Sequence, residues 1–223
     1  MWTIFLAAFL AISPADLQSA RDRQDRAALQ KMTDDAFAAA AQAPKDAEAQ
    51  YRAAVASSDL AEVALEVRDK KLAEQAAVRG VKAAEQAVAL KPENAEYYRV
   101  LGTLCGQVVP ANLLTGLSYG KRAKDAIDKA VALDPKSPAA YMARGVGNYY
   151  LPEALGGGLT LAVADFQKSI SLDPKNADAY LWLGIALRKQ NKNAEARQAF
   201  AKSVELNPRR AWAKEQLDKT PAR

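Results

Sequence analysis

Four stretches of this chain end alike: EQAVALKPENAEYY, DKAVALDPKSPAAY, QKSISLDPKNADAY and AKSVELNPRRAWAK. Their prolines, Pro92, Pro135, Pro174 and Pro208, stand 43, 39 and 34 residues apart. Gly102, Gly145 and Gly184 each follow a proline by ten residues. Twelve residues before the four prolines lie Gly80, Ala123, Ala162 and Ala196, and eight before lie Ala84, Ile127, Phe166 and Phe200. Five before lie Ala87, Ala130, Ser169 and Ser203. These offsets hold while the repeat length changes, so the variable residues fall between each glycine and the helix that follows.

Small residues on either side of a larger one let a helix approach its neighbour closely while the larger side chain fills the groove. Proline ends that helix, because it has no N–H and disfavours α geometry in the residue before it. The next helix starts within a few residues and carries, for example, Tyr180 and Gly184 on one face. A helical hairpin of this kind cannot bury its apolar stripe alone, so the units must stack into an all-α solenoid.

Residues 177–210 resemble a tetratricopeptide repeat through Tyr180, Leu183, Gly184, Leu187, Ala196, Phe200 and Pro208. The resemblance implies a right-handed α-solenoid of about four hairpins. These are a divergent unit at 49–92, a repeat with nine extra residues at 93–135, one with five extra at 136–174, and a regular one at 175–210. The extra residues are placed in the turn between the two helices of a hairpin. Residues 16–48 supply a leading helix, Asp16–Ala41, and residues 211–223 a basic capping helix and tail with Trp212 folded onto the stack.

Composition narrows the chemistry. The 223 residues include no histidine and one cysteine, Cys105, which removes histidine acid/base catalysis, Cys/His zinc sites and internal disulfides. No catalytic residue, metal or cofactor is expected, and the chain reads as non-enzymatic. The string GLSYGKRA lacks the spacing, the Ser/Thr and the preceding strand of a phosphate-binding loop, and reads as a turn opening a helix at 121–133. Gly156, Gly157 and Gly158 precede a helix start, but no lysine or arginine lies between Arg144 and Lys168. They read as a lengthened turn rather than an anion site.

Net charge is +5, and the last seventeen residues carry five cations against Glu215 and Asp218. Only Trp212 accompanies them, so the tail reads as a solvated terminus and no nucleic-acid partner is expected. The apolar run Ile4–Ile12 is far shorter than the ~20 residues a spanning helix needs. It is followed by Ser13, Pro14 and Ala15, small residues suited to a signal peptidase, although no basic segment precedes it. Residues 1–15 therefore read as a signal peptide and the protein as exported, periplasmic or secreted. If they are not a signal peptide, the expected location is the cytoplasm. The mature chain is expected to have no transmembrane span.

The layout of residues 50–210 is also similar to a narrower group: the T component of TRAP (tripartite ATP-independent periplasmic) transporters and the regulator-of-microtubule-dynamics proteins. RAAVASSDLAEVA, RGVKAAEQAVALKPENAEYYRVLG, YGKRAKDAIDKAVALDP and the LP…GG insertion carry the likeness. No cysteine follows the apolar run for the lipid anchor that T components commonly have. In tetratricopeptide families the first helix of each pair lines the inner surface. Carried onto this chain, that surface comprises Arg52, Arg99, Met142, Val146, Tyr149, Tyr150, Leu181, Ile185, Arg188 and Lys189. Apolar groups flanked by cations suit a protein or peptide partner, or a small amphipathic ligand. A Lys/Asn carboxylate clamp is missing, since the matching positions pair Arg52 with Ala56 and Arg99 with Thr103. Two functions stay open: a scaffold with an open groove, or a small-ligand relay with a closed apolar tunnel near Tyr149 and Met142. For the fold, far-ultraviolet circular dichroism should show helix almost alone, and substantial strand content would end the solenoid reading.

Overall fold

The structure, a computed structural model, describes residues 13–111 and 113–221. Among those residues the regular structure is helical throughout, without a strand. The helices are α1 (Pro14–Asp22), α2 (Arg26–Gln42), α3 (Ala47–Glu66), α4 (Lys70–Leu90), α5 (Ala95–Val108), α6 (Leu113–Leu133), α7 (Pro138–Tyr150), α8 (Leu159–Leu172), α9 (Ala177–Lys189), α10 (Asn193–Leu206) and α11 (Ala211–Asp218). They pair as hairpins α3/α4, α5/α6, α7/α8 and α9/α10, each stacked on the next. Helix α2 covers α3 at one end of the stack, and α11 covers α10 at the other.

The fixed offsets are contacts between the two helices of one hairpin. A Cβ built on Gly102 would lie 2.6 Å from Ile127, one on Gly145 2.6 Å from Phe166, and one on Gly184 2.6 Å from Phe200. The residue ten after one proline thus receives the large residue eight before the next. Phe166 and Phe200 are fully buried, worth roughly 1.5–3 kcal/mol each in transfer from water.

The prolines act at the following helix as well. Two residues after the first three prolines stand Asn94, Ser137 and Asn176, and each caps its helix by accepting a backbone N–H with its side-chain oxygen. At the fourth unit the same position is Arg210, whose side chain makes no cap.

The insertions are spent in two ways. The five extra residues of the third hairpin do lengthen the turn, which runs over residues 151–158 where the fourth hairpin uses 190–192. The nine extra residues of the second do not form a loop: α6 is 21 residues long where α10 is 14, and Gly116 and Gly120 lie inside it. The expected helix start at 121 is therefore corrected to Leu113. Helix α4 is also 21 residues long. Seven residues are about two turns, so lengthening by that amount keeps the buried face in register.

The leading helix is likewise corrected. It breaks between α1 and α2, where Gln24 adopts φ 56° and Asp25 starts α2 by accepting from the Ala28 N–H at 3.0 Å. Residues 1–12 of the expected signal peptide lie outside the described residues. Ser13 caps α1 and Pro14 opens it, so the expected cut after Ala15 falls inside the first turn of α1.

Packing at the glycines sets opposite outcomes for two substitutions. Gly184→Leu should destabilise by about 1–3 kcal/mol or more, because Phe200 and the α9/α10 spacing must give way. Gly120→Ala, which meets nothing within 4 Å inside α6, should instead stabilise by about 0.5–1 kcal/mol. Urea unfolding of the two variants checks both signs.

Candidate functional site

The inner face has two regions of different chemistry. Toward the first hairpin it is ionic. Asp59, Glu62 and Glu66 lie along one side of α3, at spacings of three and four residues. Arg210 is fully buried against them. Its Nη2 donates to Glu62 at 2.6 Å and to Glu66, its Nη1 to Glu66 at 3.1 Å, and its Nε to Asp178 at 3.3 Å. Arg21, from the last turn of α1, donates to Asp178 in the first turn of α9 at 2.8 Å and to Asp22 at 3.1 Å. Gln24 donates to Glu66 and Asn207 to Asp22, at 2.9 and 2.8 Å. The bonds from Arg21 to Asp178, Asn207 to Asp22 and Arg210 to Glu66 join residues 144–185 apart in sequence, so they tie the last repeat to the first hairpin and α1.

Burial and neighbouring charges oppose one another in this network, and the winner differs from group to group. Asp178 is held below the ordinary carboxylate range, its burial outweighed by Arg21 and Arg210. Arg210 is raised above the usual guanidinium value, because Glu62, Glu66 and Asp178 more than offset its burial. Asp59 is pushed up to about 7 by burial, assisted by Glu62 and opposed by Arg21. Burial and the neighbouring Glu62 likewise push Glu66 up to about 7 despite its bonds to Arg210.

Toward the third and fourth hairpins the face is aromatic. Tyr149 meets Tyr150 edge-on at 4.9 Å, Trp182 lies 6.0 Å from Tyr149 and 6.3 Å from Tyr150, and Trp212 lies 5.5 Å from Trp182. Tyr150 is 67% exposed, at the start of the lengthened turn. Lys189 sits beside Tyr149, its Nζ 6.0 Å from the ring. The turn itself binds no anion through its glycines: their three N–H groups donate to the carbonyls of Glu153, Pro152 and Asn148. Gly156 and Gly158 take positive φ, 83° and 108°, and a Cβ on Gly157 would lie 2.3 Å from the Leu151 carbonyl oxygen.

Of the ten residues assigned to an inner surface, the structure gathers Tyr149, Tyr150 and Lys189 into one exposed ledge. Met142 and Val146 are half-buried, packed with Tyr149 against Ala162, Phe166 and Ala186. Leu181 and Ile185 are corrected from groove to core, where they pack with Ala196, Phe200 and Ala213. Arg188 is also corrected. It holds α11 by donating to the Gln216 side chain at 2.5 Å and to Thr220 Oγ1 at 3.1 Å. Arg52 is exposed and bonds back to Glu48 at 3.0 Å, while Arg99 donates to Glu96 at 2.7 and 2.5 Å. Sequence reasoning missed Trp182 and the ionic network. The arginine standing in a capping position was the available signal for the latter.

Two hollows among the described residues have volumes of about 330 and 430 Å³. The first lies between α2 and α4, lined by Phe37, Pro44, Arg79 and Lys82 among others, and the second on α4 beside it. Both are open to solvent, and neither includes Tyr149 or Met142.

Stacked hairpins with these contacts define a tetratricopeptide-type solenoid, and the tetratricopeptide repeat model matches residues 166–198. The regulator of microtubule dynamics protein 1-3 model matches residues 12–153, so the chain belongs to that family. Regulator of microtubule dynamics protein 3 of Bos taurus is 33% identical over 100 residues, covering 43% of this chain and 20% of that protein. The chain thus matches about a fifth of the length of that curated relative. Among solved structures, a thermophilic tetratricopeptide protein of Thermus thermophilus superposes with TM-score 0.61 at 21% identity, covering 90% of this chain and 93% of the other. The HusA haemophore of Porphyromonas gingivalis superposes with TM-score 0.57 at 18% identity, covering 81% and 96%. At these identities the likeness concerns the fold.

The ledge separates structural from available aromatics. Tyr150→Ala should change unfolding free energy by no more than about 0.5 kcal/mol. Trp182→Ala should cost at least about 2 kcal/mol, because Tyr149, Phe166 and Trp212 lose their shared partner. Thermal and urea denaturation of the two variants makes the comparison.

Proposed function

We propose that this tetratricopeptide-type scaffold performs no chemistry and holds a protein partner at the Tyr149–Tyr150–Lys189 ledge. The observation that carries the reading is Tyr150, a large aromatic side chain 67% exposed yet positioned by Tyr149 and Trp182. A rigid aromatic contributes contact area at small cost in conformational entropy, and the neighbouring Lys189 favours an acidic segment beside it. The ionic network occupies the inner face toward the first hairpin, which favours a partner seated at the aromatic end over a peptide threaded through the whole groove. Tyr150 stands exposed beside Tyr149 instead of closing a tunnel over it, which favours the scaffold over a ligand relay like the TRAP T component. Export is a separate part of the proposal, supported by the apolar run Ile4–Ile12 and the small residues Ser13–Ala15.

A photo-crosslinking side chain placed at position 150 of the full chain, in the cells that make it, tests the partner reading. A discrete adduct is expected at 150 and none with the same group at Lys31, an exposed residue of α2. The purified adduct partner should then bind the unaltered protein at least tenfold more tightly than Tyr150→Ala, the cost of losing one central aromatic anchor being about 1.4 kcal/mol or more. Equal adducts at both positions, or equal binding by both proteins, would overturn it. Mass analysis of the mature protein tests export: a first residue of Asp16 supports the cut, and an intact residue 1–15 segment refutes it.

A further inference from the structure

Apolar faces are buried between neighbouring helices of the stack, and the two ends of the stack are also tied by a largely buried set of charges. Among the inter-helix contacts of the closed end, those from α1 to α9 and from Arg210 to α3 are made by long polar side chains. Arg21 is the bridge to Asp178, and Arg210 the bridge to Glu62 and Glu66. The side chains of Arg210 and Glu66 are 0% and 2% exposed, so their bridge is sealed from water, while Arg21, Asp178 and Glu62, at 14%, 18% and 25%, are only partly covered. Arg21 Nε is buried without a partner, so this junction is not fully satisfied. Repeat stacks are quasi-one-dimensional, and among the described residues the core cluster of α1 to α5 shares no side chain with that of α9 to α11, so parting the ends need not break either core.

We propose that the Arg21–Asp178 and Arg210–Glu62/Glu66 bridges form a latch, and that its opening separates the last repeat from the first hairpin and uncovers the inner face. The latch does not depend on the ledge being a partner site.

The latch is linked to protons through its charge imbalance. Three guanidinium groups, on Arg21, Arg99 and Arg210, face six carboxylates: Asp22 from α1, Asp59, Glu62 and Glu66 from α3, Glu96 from α5 and Asp178 from α9. Gln24 and Asn207 add donors but no charge. Closed, burial pushes Asp59 and Glu66 up to about 7. Open and hydrated, such groups titrate near ~4. The closed form therefore binds more protons across this interval. Acidification from pH 8 toward 5 tightens the latch, and raising the pH through 7 loosens it.

Hydrogen exchange and small-angle scattering on the full chain test the latch. In Arg210→Gln, amides of α1 and α11 should lose about tenfold in protection, while α3 to α6 keep theirs and the radius of gyration rises. In the unaltered protein, after correction for intrinsic exchange, α1 and α11 should be better protected at pH 5.5 than at 8.5. Should Arg210→Gln alone fail to fold, Arg210→Gln with Glu62→Gln and Glu66→Gln carries the same test without stranded buried charge. Unchanged protection and radius in a folded variant would overturn the latch. So would loss of all helices in one transition in both variants, since the bridges would then belong to the common core. Better protection at the higher pH would overturn its proton linkage.

Discussion

Close approach of two helices at a glycine is the constraint on which the rest of the molecule depends. Gly102, Gly145 and Gly184 each receive the large side chain of the paired helix at a distance that leaves no room for a Cβ. That contact sets the spacing within a hairpin, and the hairpin is the unit that stacks. The proline between units then performs two tasks. It stops the preceding helix, and it places a capping residue two positions later, so one short turn ends one helix and starts the next. Length can vary only where neither the contact nor the turn is disturbed.

Both insertions obey that restriction by different physics. In the third hairpin the added residues leave the helices entirely, and glycines with positive φ fold them back over Leu151. In the second they are absorbed mostly into α6, where seven residues add about two turns and return the same face to the core. Interval lengths alone do not distinguish these outcomes. Gly116 and Gly120 read naturally as a turn, and tertiary context overrides that local preference, as helix propensity is a weak prior.

The functional surfaces were legible to different degrees. Tyr149 and Tyr150 stand out because two adjacent tyrosines end a helix just before a lengthened turn, and the structure does place them together at that turn. Leu181 and Ile185 were assigned to the same surface by analogy of position, but they are drawn into the core by Phe200 and Ala213 on α10 and α11. Arg188 is similarly taken up by the capping end, donating to Gln216 of α11 and to Thr220 just beyond it. In each case the neighbour that decides the outcome lies on another element, and its approach is not encoded in local spacing.

The hairpin was readable from the chain alone: its two helices, the small residues that let them approach and the proline that ends it. These rest on residues at fixed short separations, where backbone geometry leaves few alternatives. How the ends of the stack meet emerges only in three dimensions. Arg210 departs from the Asn, Ser and Asn that cap the other helices, but nothing within its own turn says where its charge goes. Its partners Glu62 and Glu66 lie some 144–148 residues earlier, and they come within reach only after four hairpins have stacked and curved. A buried guanidinium needs carboxylates to offset desolvation, so the long-range geometry, rather than local preference, assigns its role.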